Sequence, residues 1–174
     1  MRGVFSTLPA DNLAAALAPI ADHVERLEWA VNLYNGPLRF PYAEEDEPEN
    51  VLSWHHDQQG LPMGWFGRGF LPRHADCLIF DEWGYYLGFD AAALAPEALV
   101  RELQFGGIRP GRRLFRAVAK HGLLFLLRVD RGWWEAYTPD TDILEGLMRG
   151  WNGRWVDSDR WTAGPPRHAD PDAI

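Results

Sequence analysis

One cysteine, one lysine and no long apolar run are what this 174-residue sequence has least of. Cys77 alone permits no disulfide within the chain, which suits a reducing compartment. No stretch of about 18 apolar residues occurs, so no segment reads as a membrane-spanning helix. The first residues carry a single charge, Arg2, and Asp11 and Asn12 interrupt the apolar stretch behind it. No secretory signal is read there, and the cytoplasm is the expected compartment. Catalytic signatures are missing as well. Ser6, Ser53 and Ser158 have no G-x-S-x-G setting, and neither H-x-x-x-H nor C-x-x-C spacing occurs. The glycine-rich stretch FGGIRPG at 105–111 could cradle an anion at a helix start but lacks the lysine and hydroxyl of a nucleotide loop. No cofactor is expected.

Arginine supplies every base except Lys120. Coding bias in a GC-rich genome explains this most simply; a need for planar, bidentate donors is the sharper reading. The net charge is −8. An acidic surface repels phosphate backbones and disfavours general nucleic-acid binding, while it favours solubility and basic partners. Nine Trp and nine Phe, in a chain 47% hydrophobic, can form a sizeable core and rule out whole-chain disorder.

The hydrophobic pattern predicts one α+β domain over residues 1–161 and a flexible tail over 162–174. Pro19 breaks an N-terminal helix, and a strand follows from Leu27 to Tyr34. The stretch ENVLSWHHDQQ reads as a short helix with Gly60 as its stop, and GLPMGWFGRGFLP as a loop. Strands are expected at 77–80 and 85–89, helices at 96–105, 110–122 and 139–151, and a hairpin of LLFLLRV and WWEAYT around Asp130–Gly132. The expected sheet is antiparallel, with four to five strands in two hairpins plus the N-terminal strand, packed with several short helices.

Three groups of residues carry candidate chemistry. The pentapeptide PRHAD occurs at 72–76 and again at 166–170, but its two settings differ and define no repeat. The first copy supplies His74 and Asp76, which with His55 and His56 form the candidate metal set of a small hydrolase. The plain alternative is surface polarity on a helix and a loop. A Cys77–His74 nucleophile pair is weaker, because Cys77 opens an apolar strand. Between Arg101 and Arg131 there are eight bases and two acids. Arg112, Arg113 and Arg116 are the candidate anion site of a regulatory module, against the alternative of a solvated or internally paired helix face. The acidic pairs Asp81/Glu82 and Asp140/Asp142 lie at turns, where capping explains them.

The third group is Glu44, Glu45, Asp46, Glu47 and Glu49 with Trp65 and Phe66, set between glycines. Acids steer a basic partner and displayed aromatics anchor it. The leading expectation is therefore a non-catalytic protein-binding module, acidic, aromatic-rich and without membrane or nucleic-acid partners. In profile the chain is similar to bacterial immunity and antitoxin proteins, which occlude a toxin's active site; no motif or residue is carried over by that likeness.

Overall fold

The structure, a computed structural model, describes residues 1–7, 13–33, 51–56, 62–75, 83–90, 92, 110–129 and 133–162. Their backbone forms one antiparallel sheet of eight strands in the order β3-β4-β2-β5-β6-β7-β1-β8. The strands are β1 (Arg2–Ser6), β2 (Glu28–Leu33), β3 (Val51–His56), β4 (Pro62–Phe66), β5 (Trp83–Phe89), β6 (Leu124–Val129), β7 (Trp133–Tyr137) and β8 (Arg154–Asp157). The helices are α1 (Leu13–Leu17), α2 (Ala21–Val24), α3 (Phe70–His74), α4 (Arg112–His121), α5 (Thr141–Gly150) and α6 (Asp159–Thr162), with a 3-10 turn at Ala18–Ile20.

Strand alternation sorts the core into two layers. Trp29, Phe66, Tyr86, Leu126, Trp134 and Ala136 face α1, α2, α3 and α5. Trp65, Tyr85, Leu87, Phe125, Leu127 and Tyr137 face α4. Burial on both faces explains why LLFLLRV reads as a continuous apolar run: Leu124–Val129 is buried at every position. Its one charge, Arg128, is 3% exposed on the first face, where its guanidinium lies 5.9 Å from the Trp134 ring.

Helix ends follow local chemistry. Asp140 accepts from the backbone N–H groups of Asp142 and Ile143 at 2.9 and 3.2 Å, so the turn acid is a cap, as its position suggested. Asn152 takes a left-handed φ of 46° after α5, and the Gly153 N–H reaches back to the Met148 carbonyl at 2.9 Å. Gly122 ends α4 the same way, at φ 65°. Trp151 then locks α5 to α1, donating to the Ala16 carbonyl at 2.9 Å, while Ser6 Oγ donates to the Trp151 carbonyl at 2.9 Å.

Several expectations need correction. The sheet has eight strands, more than the four to five expected. Val51–His56 is a strand, paired with β4 around a register irregularity between Val51 and Ser53, and is no helix. Long-range pairing overrides a weak helical pattern there. The supposed loop at 60–72 contains β4 and the start of α3. β1 and β8 went unread because each is short and carries charge. The broken N-terminal helix, the strand at 28–33, the hairpin strands β6 and β7, and the helices at 112–121 and 141–150 agree with the sequence pattern. The expected strand at 77–80, the helix at 96–105, the hairpin turn and residues 163–174 lie outside the described residues.

Candidate functional site

The sheet ends in β8, which pairs with β1 through Arg2↔Asp157, Gly3↔Val156, Val4↔Trp155 and Phe5↔Arg154. No described strand pairs with its outer edge. Arg154, Trp155 and Asp157 are exposed and Val156 is half-buried. Charges on an edge strand discourage stray pairing. A tryptophan does the opposite. Trp155 is 40% exposed, the single large apolar side chain displayed among the described residues. The Arg2 guanidinium stacks on its ring at 3.6 Å. This cation–π contact contributes about 0.5–1 kcal/mol at an exposed site and favours one orientation of the ring. Beside the ring lies a groove of about 260 Å³, lined by Leu144, Pro139, Thr138, Thr141 and Glu145 with Arg2 and Trp155.

The opposite face of the same region is held by a buried carboxylate. Glu135 on β7 is 0% exposed. Its Oε1 accepts from Trp133 Nε1 at 3.1 Å and faces Arg160 at 3.2 Å. Its Oε2 accepts from the Tyr137 hydroxyl at 2.6 Å and Trp161 Nε1 at 2.7 Å. Residues 133, 135 and 137 share one face of a strand, so the sequence WWEAY places an acid between two aromatic donors. Arg160 and Trp161 come from α6, just beyond β8. A carboxylate has about four acceptor positions. All are occupied, so Glu135 acts as a clamp joining α6 to the sheet and retains no lone pair for a substrate. Burial pushes the Tyr137 hydroxyl far above the usual tyrosine range, and the adjacent Glu135 charge adds to this. Gly3 leaves room for the Tyr137 ring, since a Cβ there would collide with it.

α6 is tied down at its start too. The Asp157 carboxylate accepts from the Asp159 N–H at 2.9 Å, which together with the nearby Met1 ammonium holds its pKa below the ordinary value. The guanidiniums of Arg154 and Arg160 lie over the Phe5 ring at 4.4 and 5.7 Å.

A second concavity, of about 380 Å³, opens between α4 and the start of α6. Arg112, Phe115, Arg116 and Ala119 line one wall, and Met1, Ser158 and Asp159 the other. Two residues of the anion set therefore meet at one cleft. Arg113 is not among its lining residues.

The remaining expected residues fare differently. Trp65 and Phe66 are 0% exposed and belong to opposite core layers. Trp65 packs on Phe89 and donates to Glu28 Oε2 at 3.4 Å, and Phe66 stacks on Phe70. They cannot anchor a partner, because each is packed into the core layer on its own face of the sheet. The acidic residues Glu44, Glu45, Asp46, Glu47 and Glu49 lie outside the described residues, as do Asp76 and Cys77. His55 and His56 lie on β3 and His74 ends α3. No group of three or more potential metal ligands occurs among the described residues. No helix there is long and apolar enough to cross a membrane.

Sequence reasoning missed Trp155 and Glu135. For Trp155 the signal was present but diluted, since it is one of nine tryptophans. For Glu135 the signal was an acid inside an apolar strand with aromatic donors two residues to either side.

Compared with known proteins, the chain matches no family model, no curated protein and no solved structure.

Proposed function

We propose that the chain is a non-catalytic protein-binding module whose interface is centred on Trp155 at the open β8 edge. The observation that carries this reading is the displayed, Arg2-pinned tryptophan beside a groove floored by Leu144. Among the described residues Trp155 is the one large apolar side chain displayed, and a tryptophan standing out of a strand leaves apolar surface in water that a partner buries. Pinning the ring before association lowers the entropy lost on binding. The Glu135 clamp contributes by fixing α6 and, through it, the end of β8 that α6 follows.

The partner is a protein with a basic surface. The chain's net charge of −8 favours fast encounter with such a surface, and Glu145 places an acid in the groove itself. A toxin or effector neutralised by occlusion is the form of partner this profile fits, with the chain as its immunity or antitoxin protein. The acidic residues at 44–49 remain part of the proposal as the steering charge.

The test is capture of the partner from the native host, identification by mass spectrometry, and titration of purified partner against wild type and Trp155→Ala. Truncating a central tryptophan anchor costs about 2–4 kcal/mol, or roughly 30- to 1,000-fold in Kd. An unchanged Kd for Trp155→Ala, with the fold intact by circular dichroism, would overturn the interface.

A further inference from the structure

We infer that the free chain pairs with a second copy of itself along β8, in one antiparallel register centred on Val156. The pairing covers the same edge as the proposed interface, so a copy and a partner compete for it. Its test uses the chain alone and is decided whether or not the partner reading holds.

The ladder to β1 fixes which backbone groups of β8 face outward. The Ser158 N–H donates to the Met1 carbonyl at 2.8 Å, and Met1 opposite Ser158 continues the register of Arg2↔Asp157 and Gly3↔Val156. Hydrogen-bonded pairs alternate along an antiparallel ladder, so Val156 and Arg154 also bond to β1. Trp155 and Asp157 therefore turn their N–H and C=O groups to the outer edge, where no described strand meets them. Such a row of groups is a template for a further strand. The flanking helices turn back over their own sheet: α5 packs into the first core layer, and Trp161 of α6 packs against the second.

The strand selects its own register. Two copies joined edge to edge are related by a two-fold axis normal to the sheet, so the pairing centres on a single residue. Centring on Trp155 makes one bonded pair there and sets Asp157 against Gly153, whose N–H is already bonded to the Met148 carbonyl. Centring on Asp157 sets two carboxylates face to face, which is destabilising, and runs Trp155 against Asp159 of α6. Centring on Val156 sets Trp155 against Asp157 of the second copy, and Asp157 against its Trp155. Each of these pairs exchanges both of its hydrogen bonds, and every outward group of Trp155 and Asp157 is satisfied.

The side chains fit this register. On one face, Asp157 of the second copy lies beside Trp155, whose ring carries the Arg2 guanidinium at 3.6 Å, so opposite charges come together. The Asp157 side chain is 62% exposed and can take this neighbour in addition to Met1. On the other face Val156 meets Val156 of the second copy, at a position without backbone bonds, where facing side chains are closest. Val156 is half-buried at the rim of the second core layer, so its counterpart extends that layer across the joint. Arg154 faces Ser158, and no like charges oppose each other. The charges of β8 thus exclude the other registers and leave this one open. The net charge of −8 on each copy opposes approach, but physiological salt screens it beyond about 8 Å. A four-residue strand makes a small contact, so the dimer is weak and reversible.

The test is sedimentation equilibrium of the full chain in reducing buffer, from micromolar to millimolar concentration. The average mass should rise from 19.8 kDa toward twice that value. Val156→Lys and Val156→Glu, each with its fold checked by circular dichroism, place like charges at the two-fold axis. Each alone should weaken self-association at least about fivefold, and an equimolar mixture of the two should restore it, because only residue 156 faces its own copy. Amide exchange of the wild type should slow with concentration at Trp155 and Asp157 and stay unchanged at Arg154 and Val156. A wild-type chain that remains at 19.8 kDa throughout overturns the pairing. So do single variants that associate as well as wild type, and a mixture that stays monomeric while the wild type dimerises.

Discussion

Replacing Glu135 with alanine tests the clamp that organises the end of the sheet. The carboxylate is completely buried and has four donors around it. Hydrogen bonds to a charged acceptor contribute about 1.5–3 kcal/mol each, so the gross interaction is about 6–12 kcal/mol. The Arg160 share is discounted, because that side chain is 39% exposed and water competes for it. Desolvating the carboxylate offsets several kcal/mol more. Removing one member of a buried ionic cluster then costs about 3–5 kcal/mol, since the partners are left without their acceptor. The Tyr137 hydroxyl suffers most, being buried at 0% exposure. In a chain this size a loss of that order lowers Tm by about 10 °C. Urea unfolding followed by tryptophan fluorescence measures it. Glu135→Gln keeps the shape but points an N–H₂ at donors, so it should lose a large part of the same stability. Tyr137→Phe removes one donor and should lose about 1.5–3 kcal/mol. A loss below about 1 kcal/mol for Glu135→Ala would mean that water or other groups satisfy the donors, and the clamp would not be the organising contact.

Alkaline pH gives an independent check. Burial raises the pKa of both Tyr86 and Tyr137 above the unfolded value near pH 10. Above pH 10 the unfolded chain releases protons that the folded chain retains, so stability is complete below that pH and falls as pH rises beyond it. Ultraviolet titration should show these two hydroxyls ionising only with unfolding, and Tyr137→Phe should reduce the slope. Gly3→Ala should destabilise by about 1–3 kcal/mol through the clash with the Tyr137 ring, measured by chemical denaturation. Gly122→Ala meets no neighbour within 4 Å, yet its left-handed φ of 65° predicts a loss of about 1 kcal/mol in the same assay.

The parts of the fold legible in the sequence were those with strong local pattern. α5 has a cap, an amphipathic face and a left-handed terminus, all written within about a dozen residues. The continuous run at 124–129 is a strand buried on both sides. What was not legible depends on distant partners. β1 and β8 are short, and β8 carries charge at both ends; they exist as strands because each pairs with the other and β1 pairs with β7. β3 looked helical because Gly60 offers a helix stop after ENVLSWHHDQQ, a local signal that carries no information on strand pairing. Trp65 and Phe66 looked displayed because glycines flank them, but β3 and β2 pair that backbone into the sheet and each ring packs in a core layer on its own face. Glu135 shows the same limit. Two of its donors come from the adjacent strand positions and were within reach of pattern reading. The other two come from α6, about 25 residues later, and needed the fold.

Hydrogen exchange on the chain, alone and saturated with its captured protein partner, bears most directly on the binding account. Slowed exchange at the backbone amides of residues 154–157, with Trp155 fluorescence shifted on association, is the predicted footprint. A footprint that leaves 154–157 as exposed as in the free chain would contradict the account, and so would turnover of a substrate with no protein bound.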